Sequence, residues 1–395
     1  MKGWRHKAMG LPQILIEFKT LAETLVTRSA RGIVAVILKD DSNAAQTQIY
    51  TKESEITKSH YTTANLGFLS LIFKGAPTRV IVERIPVSGE IAPALERLKN
   101  KKWNYLTMPA PGETDVSTIV DFITEQRDVY HKTFKAVLPT VAANHEGIID
   151  FETADIKVGT KTYTAAEYCP RIAGLLAGLP LNRSATYYPL PEVESITESE
   201  TPDADVDNGK LILINDGTKI KIARGVNSLT TTSDSKGDDF KKIKIMEAVD
   251  MIRDDIRTTF EDEFVGQMEN SYDNKILFIA AVNKYFSDLV GQGVLYDGFD
   301  NKAEIDIEAV RAWLAKQKDV SDWDDEQIKT ANTDTNVFVK ANIQVQDAIE
   351  DLNFQIYMEC GVMKYGSKTD SAESDERQMG YGVFKRGACL GNRLL

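Results

Sequence analysis

Proline is missing after residue 202 of this 395-residue chain: all twelve fall from Pro12 to Pro202. Cysteine and histidine are scarce. Cys169, Cys360 and Cys389 are odd in number and scattered, which argues against a disulfide framework and fits a reducing compartment. His6, His60, His131 and His145 are equally far apart, so a zinc cluster would need assembly by tertiary structure alone, and no metal is expected. Apolar runs such as Gly32–Leu38 and Ile276–Val282 fall short of the roughly 18–20 residues that span a bilayer. No membrane segment is expected, and the chain reads as soluble. No stretch is dense in Lys and Arg, which argues against direct nucleic-acid binding, because phosphate neutralisation needs a concentrated basic face. The basic start Met1–Lys7 lacks the apolar core and small-residue cleavage site of a secretion signal.

What the chain does have is an uneven charge. Residues 1–202 carry 23 bases and 23 acids, whereas residues 239–356 carry 13 bases and 25 acids, a deficit equal to the whole chain's −12. The length allows two or three domains with real cores. The proline and charge boundaries together mark two differently composed halves.

From about residue 30 to 190, β-branched strands alternate with helical patterns, the signature of a layered α/β domain. Strands are expected at Gly32–Leu38, Arg79–Ile85, Trp103–Met108 and Phe134–Leu138, with helices at Thr63–Phe73, Ile91–Lys99, Val116–Arg127 and Ala165–Leu176. Gly147–Val158 reads as two extended segments. Residues 192–207, with seven acids and no base, read as a solvated loop. Asp216-Gly217 between Lys210–Ile214 and Thr218–Ala223 is the strongest hairpin signal. Ile245, Val249, Ile252, Ile256, Phe260, Phe264 and Met268 then form one apolar stripe along a long helix whose other face is charged. A second long helix, Asn274–Leu289, is expected to start at an Asp273 N-cap. Short helices at Arg311–Lys316 and Asp325–Thr330 and strands at Val337–Val345 and Leu352–Tyr357 close the segment. Ile14–Phe18 and Asn353–Tyr357 are lone terminal strands, and a lone strand needs a sheet edge to satisfy its backbone groups.

Chemistry is sparse. There is no G-x-x-x-x-G-K-[ST], G-x-S-x-G or H-E-x-x-H motif. His145-Glu146 begins like a zincin motif, but Ile149 occupies the second ligand position. The acid pairs Asp254-Asp255 and Asp324-Asp325 are read as solvated helix faces, because adjacent positions diverge on a helix. Gly291-Gln292-Gly293 reads as a helix C-cap. Arg224-Gly225-Val226-Asn227-Ser228 could be an anion-binding loop, but a turn with Gly225 at positive φ is favoured. By exclusion an assembly protein is favoured over an enzyme.

Several blocks carry a family likeness: Met9-Gly10-Leu11-Pro12, Arg28-Ser29-Ala30-Arg31-Gly32, Asn144-His145-Glu146-Gly147-Ile148-Ile149, Arg171 to Gly178, Ile222 to Leu229 and Asn270 to Lys275. Over about residues 9–357 the chain resembles the contractile-tail sheath proteins of Gram-positive myophages and of phage-tail-like bacteriocins, or tailocins. The Ala223-Arg224-Gly225-Val226-Asn227 block is the most specific. Residues 1–8 precede the family's usual start, and residues 358–395 extend beyond its usual finish.

The resemblance implies a fold of α/β plus α+β class: a layered α/β body over 30–238 and a helical C-terminal domain carrying a β-sheet over 239–351. Strand-exchange arms lie in 1–29 and 352–357, and a tail of unassigned role occupies 358–395. It implies a structural subunit rather than an enzyme, without cofactors. Such a subunit forms a homo-oligomer of hexameric rings stacked around an inner tail tube protein, with baseplate and tail terminator proteins as further partners. It belongs to a virion tail or tailocin particle assembled in the host bacterial cytoplasm, and contracts to drive the tube through a bacterial envelope. Ile14, Leu15, Ile16, Glu17 and Phe18, with Asn353, Phe354, Gln355, Ile356 and Tyr357, are implied to exchange between subunits. Asn144, His145, Glu146, Gly147, Arg171, Gly174, Arg224, Gly225 and Asn227 are implied to be structural. The acidic 239–356 segment is expected to face basic patches on the tube or on adjacent bodies, making assembly salt-sensitive. The alternatives are another tail or baseplate component, against which two long amphipathic helices count, and an α/β enzyme with an unrecognised site.

Overall fold

A computed structural model describes residues 31–42, 46–234 and 236–358. The described residues divide into two units, one up to Glu350 and one from Asp351.

The first unit is built on a seven-stranded sheet. In chain order its strands are β1 (Ile33–Lys39), β2 (Thr47–Tyr50), β3 (Arg79–Ile85), β4 (Tyr105–Thr107), β5 (Lys135–Pro139), β6 (Ile148–Phe151) and, much later, β10 (Lys210–Leu211). Their spatial order is β10-β6-β5-β4-β1-β3-β2, parallel throughout except for the antiparallel edge strand β2. β1 lies in mid-sheet, and its alternation divides the core. Val34, Val36 and Leu38 join one buried cluster, and Ile33, Ala35 and Ile37 the other. Helices α1 (Thr63–Phe73) and α4 (Ala165–Gly178) cover the first face. Helices α2 (Ala92–Lys99) and α3 (Glu113–Asp128) cover the second. The α1/α4 crossing depends on glycine, since a Cβ on Gly174 would lie 2.1 Å from the Ile72 carbonyl oxygen, and one on Gly75 would lie 2.0 Å from the Gly174 carbonyl carbon.

Beside this sheet stand β7 (Ala154–Val158), β8 (Lys161–Tyr163) and β9 (Ser195–Thr197) in a small sheet of order β8-β7-β9. The expected hairpin is β11 (Leu213–Asn215) and β12 (Ile220–Ile222), turning at Gly217 with φ 87°. A third cluster of buried residues runs from Ala248 to Ile328. It is formed by α6 (Ile243–Glu263), α7 (Tyr272–Gly291), α8 (Ile307–Leu314), α9 (Asp325–Thr330) and an antiparallel pair, β13 (Lys302–Ile305) and β14 (Val339–Asn342). No helix among the described residues is long and apolar enough to cross a membrane.

Several expectations are corrected. Residues 192–207 are not one solvated loop: Glu192 is held by Arg171, β9 pairs with β7, and a short helix α5 spans Pro202–Asp207. Ser271, not Asp273, caps α7, its side chain accepting the Asn274 N–H at 3.2 Å. The charged face of α6 is not wholly solvated, since Asp250 and Asp255 are 3% and 0% exposed. Leu352–Tyr357 forms no strand. Ile14–Phe18, Cys360 and Cys389 lie outside the described residues.

Candidate assembly site

The block Arg224–Ser228 is a junction rather than an anion loop. Gly225 does not have positive φ. Its N–H donates to Thr186 Oγ1 at 2.9 Å and its carbonyl accepts the Ile243 N–H at 3.0 Å, which fixes the start of α6. Asn227 Nδ2 donates to the Phe240 carbonyl at 2.7 Å, and the Ser228 N–H donates to the Ile148 carbonyl at 2.8 Å. Glu350, the last residue of the first unit, accepts hydrogen bonds from Ser184 Oγ at 3.0 Å and Thr186 Oγ1 at 2.6 Å, and lies 3.6 Å from Arg224 Nε. The junction thus moors the chain at the point where the second unit begins.

The other motif residues serve the same scaffold. Asn144, at φ 49°, accepts from the Thr230 and Thr231 N–H groups at 2.9 Å each. A Cβ on Gly147 would lie 2.4 Å from Arg127 Cδ, so glycine there leaves room for a buried guanidinium. Arg171 pairs with Glu192 at 2.5 Å across the α4 face.

Between the α/β body and α6 lies a charge network that composition alone did not reveal. Arg127 Nη1 and Nη2 each donate to Asp250 at 3.0 Å, a bidentate pair. Lys135 Nζ lies 2.8 Å from Asp250 and 2.9 Å from Glu247. Glu247 also accepts from Tyr105 Oη and Arg31 Nη2, at 2.5 Å each. Asp254 accepts from Thr133 Oγ1 at 2.8 Å, and Asp255 from Tyr285 Oη at 2.6 Å. Burial pushes the Asp250 carboxyl up, but the Lys135 and Arg127 cations beside it outweigh burial and hold it at about 2. Part of the acidic excess of 239–356 is therefore neutralised within the subunit.

Asp128, His145 and Glu146 bring their ligand atoms within 4.8 Å of one another. His145 Nδ1 accepts the Gly147 N–H at 3.0 Å, so the neutral ring carries its proton on Nε2, facing Asp128 at 3.5 Å. Burial pushes the imidazole's pKa down. Lys236 already lies 2.9 Å from Glu146. With its outward nitrogen protonated and an ammonium in place, the cluster suits an ion-pair network better than a cation.

The β13–β14 sheet has two strands, and β14 is exposed at Lys340, Ala341 and Asn342. In the second unit Leu352, Phe354, Ile356 and Tyr357 are 71–87% exposed, outside any regular hydrogen-bonded element.

Comparison with known proteins places this architecture. Residues 235–359 match the phage tail sheath C-terminal domain. The tail sheath protein of Clostridium phage phiCD119 is 38% identical over 363 residues, covering 88% of this chain and 99% of that protein. The sheath tail protein of Desulfitobacterium hafniense superposes with a TM-score of 0.62 at 15% identity, over 77% of this chain and 94% of that one. The contracted helical sheath of the anti-feeding prophage superposes with a TM-score of 0.65 at 13% identity, over 85% and 95%. The chain belongs to the phage tail sheath protein family. It is a structural subunit of a contractile tail sheath.

Proposed function

We propose that the subunit polymerises as stacked hexameric rings around an inner tube protein, with baseplate and tail terminator proteins at the ends, and shortens to drive the tube through a bacterial envelope. Assembly takes place in the host cytoplasm. Neighbours are joined by strand exchange, with Ile14–Phe18 and Asn353–Tyr357 as donors and the β13–β14 sheet as acceptor.

The observation that carries this reading is the coexistence of an exposed edge strand, Val339–Asn342, with an apolar segment that has no ladder of its own. An unpaired edge is a template for another chain, and an extended apolar segment is its complement. A five-residue strand adds four or five hydrogen bonds at roughly 0.5–1.5 kcal/mol net each, a link of a few kcal/mol. Such a link holds subunits together while their rigid faces re-pack.

The non-catalytic reading is supported by the likeness to the 38% identical tail sheath protein. Deleting residues 1–18, or truncating before Asn353, is expected to leave a folded monomer that forms no tubes. Striated cylinders from either truncation in negative-stain microscopy would refute the exchange.

A further inference from the structure

A cavity of about 430 Å³ opens at the foot of β14. Its walls include Phe260, Phe264, Met268, Phe278 and Val337, with Phe278 edge-on to both other rings at 5.1 Å. Two polar atoms of the lining are undersupplied. Lys275 is 7% exposed, and its ammonium donates to Thr333 Oγ1 at 3.0 Å with no ion pair among the described residues. Burial alone acts on it, pushing its pKa down. Asn270 donates through Nδ2 to Thr333, Asp334 and Asn336, but its buried Oδ1 has no partner. A buried ammonium asks for a carboxylate, and a buried amide oxygen for an N–H. A peptide bearing one acid offers both.

We propose that this cavity receives the N-terminal arm of a second copy, with Leu15 in the phenylalanine-lined space and Glu17 paired with Lys275. The inference rests on the strand-exchange reading and adds the site and register of one donor. In an extended Ile14-Leu15-Ile16-Glu17-Phe18, Leu15 and Glu17 share a face about 7 Å apart. Asn353–Tyr357 carries no charge, so of the two donors only the N-terminal one can neutralise Lys275. The position is consistent too, because Asp334, Thr335 and Val337 line the cavity and lead directly into β14. A strand laid along that edge continues over the cavity mouth, and the arm's backbone N–H groups meet Asn270 Oδ1.

The test uses the full-length chain with Cys360→Ser and Cys389→Ser as background. Chains carrying Glu17→Cys are mixed with chains carrying Lys275→Cys, allowed to assemble, oxidised and run without reductant. A dimer joining one chain of each kind is expected in the mixture and absent from either variant alone. Tubes that yield no such dimer would overturn the proposal. Independently, Glu17→Gln should raise the minimum assembly concentration about tenfold, as loss of one charge-assisted contact implies. Lys275→Met with Glu17→Gln should be no worse than Glu17→Gln alone. An unchanged near-ultraviolet circular dichroism spectrum of the Lys275→Met monomer shows that the fold is kept. Equal assembly of Glu17→Gln and the parent would also overturn the pairing. If deletion of residues 1–18 leaves tubes intact, the exchange reading itself fails; if tubes are lost but the cross-link is missing, only the docking site is wrong.

Discussion

Replacing Asp250 by Asn removes the one carboxylate that both Arg127 and Lys135 share. Each cation is 2–3% exposed, so neither can turn to water for compensation. Asn cannot repeat two 3.0 Å guanidinium contacts and a 2.8 Å ammonium contact with one neutral oxygen. Breaking a buried pair in this way costs about 3–5 kcal/mol. That is a large share of the roughly 5–15 kcal/mol that holds a domain folded. Urea unfolding at pH 7 should show a lower midpoint with unchanged slope. The double variant Arg127→Met/Asp250→Leu should be less damaged than Asp250→Asn alone, since no unpaired guanidinium remains and Lys135 keeps Glu247 at 2.9 Å. The acid limb gives a second reading. The folded-state pKa of about 2 lies below the ordinary 3.8, so the stabilisation is full above about pH 4 and disappears as pH falls through 2. Asp250→Asn should flatten that limb. A loss below about 1 kcal/mol for Asp250→Asn would refute the argument and mean that water reaches the network.

Other perturbations test other parts of the scaffold. Gly174→Ala sets a methyl 2.1 Å from the Ile72 carbonyl oxygen and should cost about 3 kcal/mol in thermal unfolding, because two backbones must part. Asp150 is pushed up to about 6 by burial, so it favours folding at low pH and loses that contribution as pH rises through 6. Asp150→Asn, which can still accept the Val141 N–H, should therefore stabilise the protein at pH 8 by up to about 3 kcal/mol and not at pH 4. Glu350→Ala removes the acceptor for Ser184 and Thr186 and should speed proteolytic cleavage near residue 350 with little change in melting temperature.

Elements with local signals were legible. Thr63–Phe73 has a Thr62 cap, Arg79–Ile85 is an apolar β-branched run, and Asp325–Thr330 has a reciprocal Asp324/Gln327 cap; all three match the structure residue for residue. β2 and β13 were missed because four residues of mixed polarity become a strand only by lying against a partner. Asp254 and Asp255 were read as solvated because their partners, Thr133 and Tyr285, are 121 and 30 residues away, beyond the reach of any periodicity argument. The motif positions rest on family likeness alone. In the structure Gly147 makes room for Arg127, and the Gly225 N–H donates to Thr186, whose hydroxyl donates to Glu350.

The mooring of Glu350 also sets a length. Three residue steps separate it from Asn353, which at about 3.3–3.6 Å each is a leash of only about 10–11 Å. On the proposed exchange, a donor strand at Asn353–Tyr357 seated in a neighbour could not be drawn far from its own root without unzipping from one end. The same reading caps the travel of one subunit past the next by chain length rather than by bond strength, and each residue added at positions 351–352 should lengthen the permitted stroke by one step.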